Sequence, residues 1–213
     1  MELVRPGMLL GLGTGSTARY FIDAVGALVA GGMKVRAVAT SNESREQARG
    51  LGIPIVDQIE GPIDLAVDGA DEVDGRLNLI KGRGGALFQE KVVAAAATRF
   101  VVVVDETKVV SRLGVGVPLP VEVLPFLWQA TARRLADLGS AWTLRGGESD
   151  PFITDNGNVI LDLSFEAGID DPELLAAELR SVVGVVEHGL FLGLATGCLV
   201  AKASGVEILG SLG

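Results

Sequence analysis

Residues 68–91, DGADEVDGRLNLIKGRGGALFQEK, bring two aspartates (Asp68, Asp71), a lysine (Lys81), a glycine-rich turn and a glutamate (Glu90) into one short stretch. A carboxylate base beside a fixed positive charge and a glycine turn with exposed N–H groups is the equipment for removing a proton next to a carbonyl and holding the resulting oxyanion. Gly69 and Ala70 leave room for a ligand between the two aspartates, and the glycines at 82, 84 and 85 let the backbone approach an oxyanion closely. Glu72 and Asp74 are expected to cap turns or face solvent, and Lys91 to lie on a solvated helix face. The carboxylates have no histidine or cysteine nearby, so only a hard, Mg²⁺-like ion would suit them, and no metal is assigned. Histidine could serve as the base only through His188.

A second constellation is the turn Gly11-Leu-Gly-Thr-Gly-Ser-Thr17. Its N–H groups, the amino terminus of the helix that follows and the hydroxyls of Thr14, Ser16 and Thr17 form an anion cradle suited to phosphate. A plain strand-to-helix turn capped by Thr14 or Ser16 would explain the same residues. The turn fits a dinucleotide poorly, because Ser16 replaces the third glycine of that fingerprint and the next strand ends in Thr40 and Ser41, where a ribose-binding acid is expected.

These groups need strands and helices to carry them, and the first half of the chain alternates the two. Strands are predicted at 8–11, 34–39, 63–67 and 100–104, and helices at 18–30, 43–50 (closed by Gly52) and 85–98. The near-continuous apolar strands suit a parallel sheet covered on both faces, so the fold class is α/β. After Val104 the pattern changes. Pro118, Pro120 and Pro125 make 117–126 read as an extended connection rather than a central strand. Helices at 128–138 and 172–182, the latter opened by Asp170 or Asp171, alternate with strands at 141–145, 159–165 and 185–192, and the turn at 155–158 reverses the chain. This describes a small α+β insert, placing a main domain at 1–116 and 194–213 and a smaller one at 117–193. Strands at 198–203 and 206–209 return to the main domain.

Hydrophobic residues make up 48% of the 213, yet the longest apolar runs fall short of the ~18 residues a membrane span needs, so that content belongs to buried strands. No secretion signal opens the chain, and Cys198 is the single cysteine, which points to a reducing, cytoplasmic setting. A formal charge of −9 argues against a nucleic-acid partner and requires any anion site to be locally positive.

The motifs GLGTGSTA, TSNES, DGADEVD, KGRGGAL with its EK, DETK, PLPVEV, TDNGN and GVVEHGLF, in this order over nearly the whole chain, resemble ribose-5-phosphate isomerase of type A. The resemblance implies a cofactor-free aldose–ketose isomerase, with a Rossmann-like, mostly parallel sheet domain and an inserted ferredoxin-like one. It implies that Glu90 is the catalytic base. It also implies that Thr14, Gly15, Ser16 and Thr17, Asp68 to Asp71 with Gly69 and Ala70, Lys81 with Gly82, Arg83 and Gly84, and Lys108 bind a sugar phosphate. Homodimers or dimers of dimers are the assembly it implies. Relatives usually begin with a further helix that brings a lysine near the phosphate. Here residues 2–7 run almost directly into the first strand, Arg5 is the candidate replacement, and weaker substrate binding is expected.

The expected chemistry has two stages. Asp68 or Asp71 assists ring opening; Glu90 then moves a proton from C2 to C1 through a cis-enediolate held by Lys81 and the N–H groups of residues 82–85. A sugar-phosphate sensor is the alternative from another class, but a regulator would need a DNA-reading segment for which the residues before Met8 leave no room. An amino-sugar phosphate deaminase or a coenzyme A transferase could place a carboxylate similarly. Neither would account for DGADE, KGRGG and TDNGN together.

Overall fold

The computed structural model describes residues 2–212. In chain order the first elements are β1 (Leu9–Leu12), α1 (Ala18–Ala30), β2 (Arg36–Ala39), α2 (Asn42–Gly50), β3 (Leu65–Asp68), β4 (Glu72–Val73), β5 (Leu79–Ile80), α3 (Leu87–Ala96) and β6 (Phe100–Asp105). A single 3-10 turn at Glu106–Lys108 precedes β7 (Leu119–Val123), α4 (Trp128–Ala136), β8 (Ala141–Leu144) and β9 (Val159–Ser164). The last are α5 (Pro172–Ser181), β10 (Val185–His188), β11 (Leu190–Phe191), β12 (Gly197–Lys202) and β13 (Gly205–Gly210). No helix among the described residues is long and apolar enough to cross a membrane.

The chain divides into two units. The first contains the described residues up to Ala70, Gln89–Thr107 and those from Gly193 on. Its sheet has the order β13-β12-β6-β3-β1-β2 and is parallel except for the β12–β13 pair. Strands β1, β3 and most of β6 are buried on both faces, which is why they read as unbroken apolar runs. Helix α1 turns Ala18, Ile22 and Val25 inward at helical spacing, joining Leu10, Leu12, Leu65 and Val101 in the core. Because β2 and β3 flank β1 on opposite sides, the carboxyl ends of β1 and β3 form the switch point at which open α/β sheets bind ligands. The turn after Leu12 and the residue Asp68 stand there.

The second unit contains Asp71–Phe88 and Lys108–Leu192, more than the 117–193 expected for the smaller domain. The reason lies in its packing. Ile80 belongs to the same core as Leu119, Val121 and Leu163, β5 pairs with β11, and the carboxylate of Glu72 accepts the N–H groups of Gly114 (2.6 Å), Gly116 (2.8 Å) and Val117 (3.1 Å). The order β7-α4-β8-β9-α5-β10 with the antiparallel sheet β10-β7-β9-β8 is the ferredoxin-like arrangement. Helix α5 opens as its sequence indicates, with Pro172 in the first turn and the Asp171 carboxylate accepting the Leu174 N–H at 2.9 Å.

The proline-rich segment departs from expectation. Residues 119–123 form a central strand, flanked by β10 and β9, rather than a connection. Pairing with β10 stops at Val121 and His188, and on that side Pro120 needs only its carbonyl, which accepts the Gly189 N–H at 2.7 Å. The missing N–H of Pro120 therefore falls beyond the last rung, where it costs the ladder nothing. Residues 185–192 also split: β10 stays in the ferredoxin-like sheet and β11 joins the small sheet β11-β5-β4. The 154–158 turn joins Ile153 to Val159, and fully buried Glu122 anchors it by accepting at one oxygen from Thr154 (2.9 Å), Asn158 (2.9 Å) and Asn156 (3.1 Å).

Candidate active site

The candidate residues of the first unit are placed by close backbone contact. A side chain at Gly11 would place its Cβ 2.6 Å from Val93 of α3 and 2.8 Å from the Ala66 side chain, and one at Gly13 would lie 2.2 Å from an Asp68 oxygen. Only hydrogen fits at either position, so α3 and β3 close directly onto β1. Asp68, 3% exposed, uses Oδ1 to accept the N–H groups of Thr14 (3.0 Å) and Gly69 (2.8 Å). Its carboxylate thus fixes the turn after β1 as well as lying beside it.

The Thr14 hydroxyl faces a polar cluster: it lies 2.7 Å from the Thr40 hydroxyl, donates to Ser41 at 2.9 Å and lies 3.3 Å from Ser44, whose own hydroxyl donates to the Gly13 carbonyl at 2.6 Å. Thr14 therefore secures the turn, which narrows the hydroxyl part of the expected cradle to Ser16 and Thr17. Gly15 and Ser16 are exposed, Thr17 is half-buried, and Thr17 occupies the cap position of α1 without a side-chain capping bond. Neither Thr14 nor Ser16 is the cap, and the amino terminus of α1 keeps its dipole open to an anion. The Thr17 Cβ lies 3.9 Å from where a side chain on Gly69 would begin, and Ala70 is half-buried just beyond. Sequence reasoning missed the supporting roles of Thr40, Ser41 and Ser44. Their signal was a strand ending in hydroxyl residues that also open the next helix, with Ser41 accepting the Ser44 N–H at 3.1 Å.

Glu90 sits in the first turn of α3 and is 4% exposed, so it is not on a solvated face. Lys91 is also buried, contrary to expectation.

The second unit holds Asp71, Lys81, Gly82, Arg83, Gly84 and Lys108. Lys81 is 3% exposed; its N–H donates to the Gly189 carbonyl at 2.9 Å and its Nζ lies 5.5 Å from the centre of the Phe191 ring, an arrangement that supports a buried cation. Gly82 has φ +106°, which a residue with a side chain rarely adopts. Two of the four N–H groups expected to receive an oxyanion are already engaged: Arg83 donates to Asp71 Oδ2 at 3.0 Å, and Gly85 donates to the Gly82 carbonyl at 2.9 Å. The nest is therefore smaller than the full 82–85 run, with Gly82 and Gly84 as its remaining donors. Lys108 ends the 3-10 turn, half-buried, with no hydrogen bond to the other candidates among the described residues.

Glu72 and Asp74 are structural, as expected of turn-capping acids, although both are buried: Asp74 accepts from the Arg76 N–H, the Asn78 N–H and the Asn78 side chain. His188 is fully buried in the second unit, where its Nδ1 accepts the Leu190 N–H at 3.3 Å. Sequence reasoning missed Arg145, which pairs with Asp162 and bonds the glycine turn. No group of three or more histidine, cysteine, aspartate or glutamate side chains placed to hold a metal occurs among the described residues.

The first unit sets a turn with an open helix amino terminus at the switch point of a parallel sheet, and by family the chain is an α/β enzyme of the aldose–ketose isomerase class. The family model for ribose 5-phosphate isomerase A (phosphoriboisomerase A) matches residues 36–205, and the chain belongs to this family. Ribose-5-phosphate isomerase A of Gluconobacter oxydans is 51% identical over 97% of this chain and 90% of its own length. The probable ribose-5-phosphate isomerase 3, chloroplastic, of Arabidopsis thaliana is 49% identical over 98% of this chain and 79% of its own. A D-ribose-5-phosphate isomerase solved in complex with phospho-erythronic acid superposes with a TM-score of 0.93 at 42% identity, covering 99% of this chain and 93% of that one.

Proposed function

We propose that the chain interconverts D-ribose 5-phosphate and D-ribulose 5-phosphate, without a cofactor, through a cis-enediolate. One of Asp68 and Asp71 assists the proton shift that opens the furanose and exposes the aldehyde. Glu90 takes the proton from C2 and returns it to C1 on the same face. Lys81, with the N–H groups of Gly82 and Gly84, stabilises the enediolate oxygen. Residues 14–17, Gly69, Ala70, Arg83 and Lys108 hold the rest of the sugar phosphate, the α1 amino terminus supplying positive potential in a chain of net charge −9.

The observation that carries this reading is the burial of Glu90 in the first turn of the helix that leaves the Lys81 glycine turn. An ordinary surface glutamate at that position would face water. Phospho-erythronic acid binds this chain as well in our reading, because its carboxylate copies the planar enediolate. We further infer a cytoplasmic homodimer or dimer of dimers, supported by family membership and by a single, buried cysteine; sedimentation velocity tests the assembly.

In the test, ribulose 5-phosphate forms from ribose 5-phosphate with a chelator present and no nucleotide added. Glu90→Gln lowers kcat by ~10²–10⁴ with KM nearly unchanged, the signature of losing a positioned base. Parental turnover by Glu90→Gln removes the assignment.

A further inference from the structure

Within the second unit, one side chain reaches the backbone of the proposed oxyanion turn from behind. Arg145, just past β8, binds Asp162 of β9 through both ends of its fork, Nε to Oδ2 at 2.9 Å and Nη2 to Oδ1 at 2.5 Å. Its remaining nitrogen, Nη1, donates to the carbonyls of Gly82 (2.9 Å) and Arg83 (3.1 Å). The side chains of both Arg145 and Asp162 are largely shielded from water, where such charge-assisted bonds are strongest. The Phe152 ring lies 5.9 Å from the guanidinium carbon and covers Gly85, where a Cβ would come within 2.4 Å of it.

In a trans peptide the carbonyl and the N–H point in opposite directions. Holding the Gly82 carbonyl therefore aims the Arg83 N–H away from Arg145, and that N–H donates to Asp71. By the same geometry, holding the Arg83 carbonyl aims the Gly84 N–H away from Arg145. A guanidinium at one end of these peptide units and a carboxylate at the other also polarises them. Asp71, Arg83, Arg145 and Asp162 border a common cavity of about 360 Å³.

We propose that Arg145, locked by Asp162, is a positioning residue for the isomerase reaction, orienting the 82–84 peptides so that Asp71 and the Gly84 N–H are presented to the substrate. This rests on the isomerase reading above. Arg145 touches no reacting atom; it acts through the backbone. Lysine cannot replace it fully, because a single ammonium cannot bind both Asp162 oxygens and two carbonyls in a planar fork.

The test compares Arg145→Met, Arg145→Lys and Asp162→Asn with the parental enzyme and Glu90→Gln. A misaimed oxyanion donor costs about ten- to a hundredfold, so Arg145→Met lowers kcat by that factor with KM within about twofold. Arg145→Lys recovers part of the loss, and the Kd for phospho-erythronic acid rises by the factor by which kcat/KM falls. Tryptophan-monitored unfolding reports the folded fraction, and if Arg145→Met does not fold, the other two variants carry the same comparison. Parental kcat in all three, or a loss that vanishes after correction for folded protein, overturns the proposal. If that happens while Glu90→Gln is inactive, only the role of Arg145 falls; an active Glu90→Gln instead overturns the isomerase assignment of the base.

Discussion

Two glycine-rich turns, 11–17 and 81–85, do similar work by different means. The first is held by its neighbours in a parallel sheet: Asp68 accepts one of its N–H groups, that of Thr14, along with the N–H of Gly69, and hydroxyls from Thr40, Ser41 and Ser44 gather around Thr14. The second is held by charge, through a guanidinium on two carbonyls, a carboxylate on one N–H and an aromatic ring over Gly85. Hydroxyls and backbone suit the first turn in the proposed reading, in which it receives an anion and leaves the helix dipole unopposed. In the same reading the second turn presents N–H groups in a chosen direction, and an ion gripping the opposite carbonyls supplies that direction.

The two units carry separate reporters, which makes the contrast testable. Cys198 is buried in β12 of the first unit, while both tryptophans, Trp128 and Trp142, stack edge to face at 5.8 Å in the second. The largest effect is expected from Gly13→Ala. Its methyl would collide with Asp68, so overpacking should destabilise the first unit by about 1–3 kcal/mol. Thiol labelling of Cys198 should accelerate and isomerase activity fall, while the tryptophan transition stays near its parental position; equal shifts in both reporters would show that the turns are not held independently.

Phe152→Ala comes next. Phe152 is 38% exposed, so the loss is mainly its contact with Arg145 and Gly85, about 0.5–1 kcal/mol. It should lower kcat a few-fold and move the tryptophan transition, leaving Cys198 labelling unchanged. A further effect, confined to alkaline pH, concerns the thiol itself, which burial pushes up from 9.0 to about 11. The folded state then holds this proton more tightly than the unfolded chain. Its contribution is intact below pH 9 and is lost as pH rises from 9 towards 11. Denaturant titrations across that window should show first-unit stability declining more steeply in the parental chain than in Cys198→Ala.

The same contrast explains what could be read from sequence. The 11–17 turn was legible because strand, glycines and helix are contiguous, and Asp171-Pro172 announced α5 for the same reason. Glu90 and Lys81 stood out by their spacing around a glycine run, and both are buried. Arg145 was not, because its partners at 82 and 83 are more than sixty positions away and an arginine after a strand has no local signature. Pro120 misled for a related reason: local propensity excludes proline from central strands, and only the endpoint of β10, set by pairing elsewhere, makes room for it. The small β4–β5–β11 sheet was invisible because two-residue strands carry no period.

The bare backbone at Gly11 has a reach that its own position does not suggest. Val93, which rests on it, lies one helical turn after Glu90, so the missing methyl acts as a spacer of zero thickness that sets the stand-off between the carboxylate of the proposed base and the sheet below. Adding a single carbon there would lift the helix like a shim under a hinge, and the proposed base would be displaced by a change outside the proposed sugar contacts.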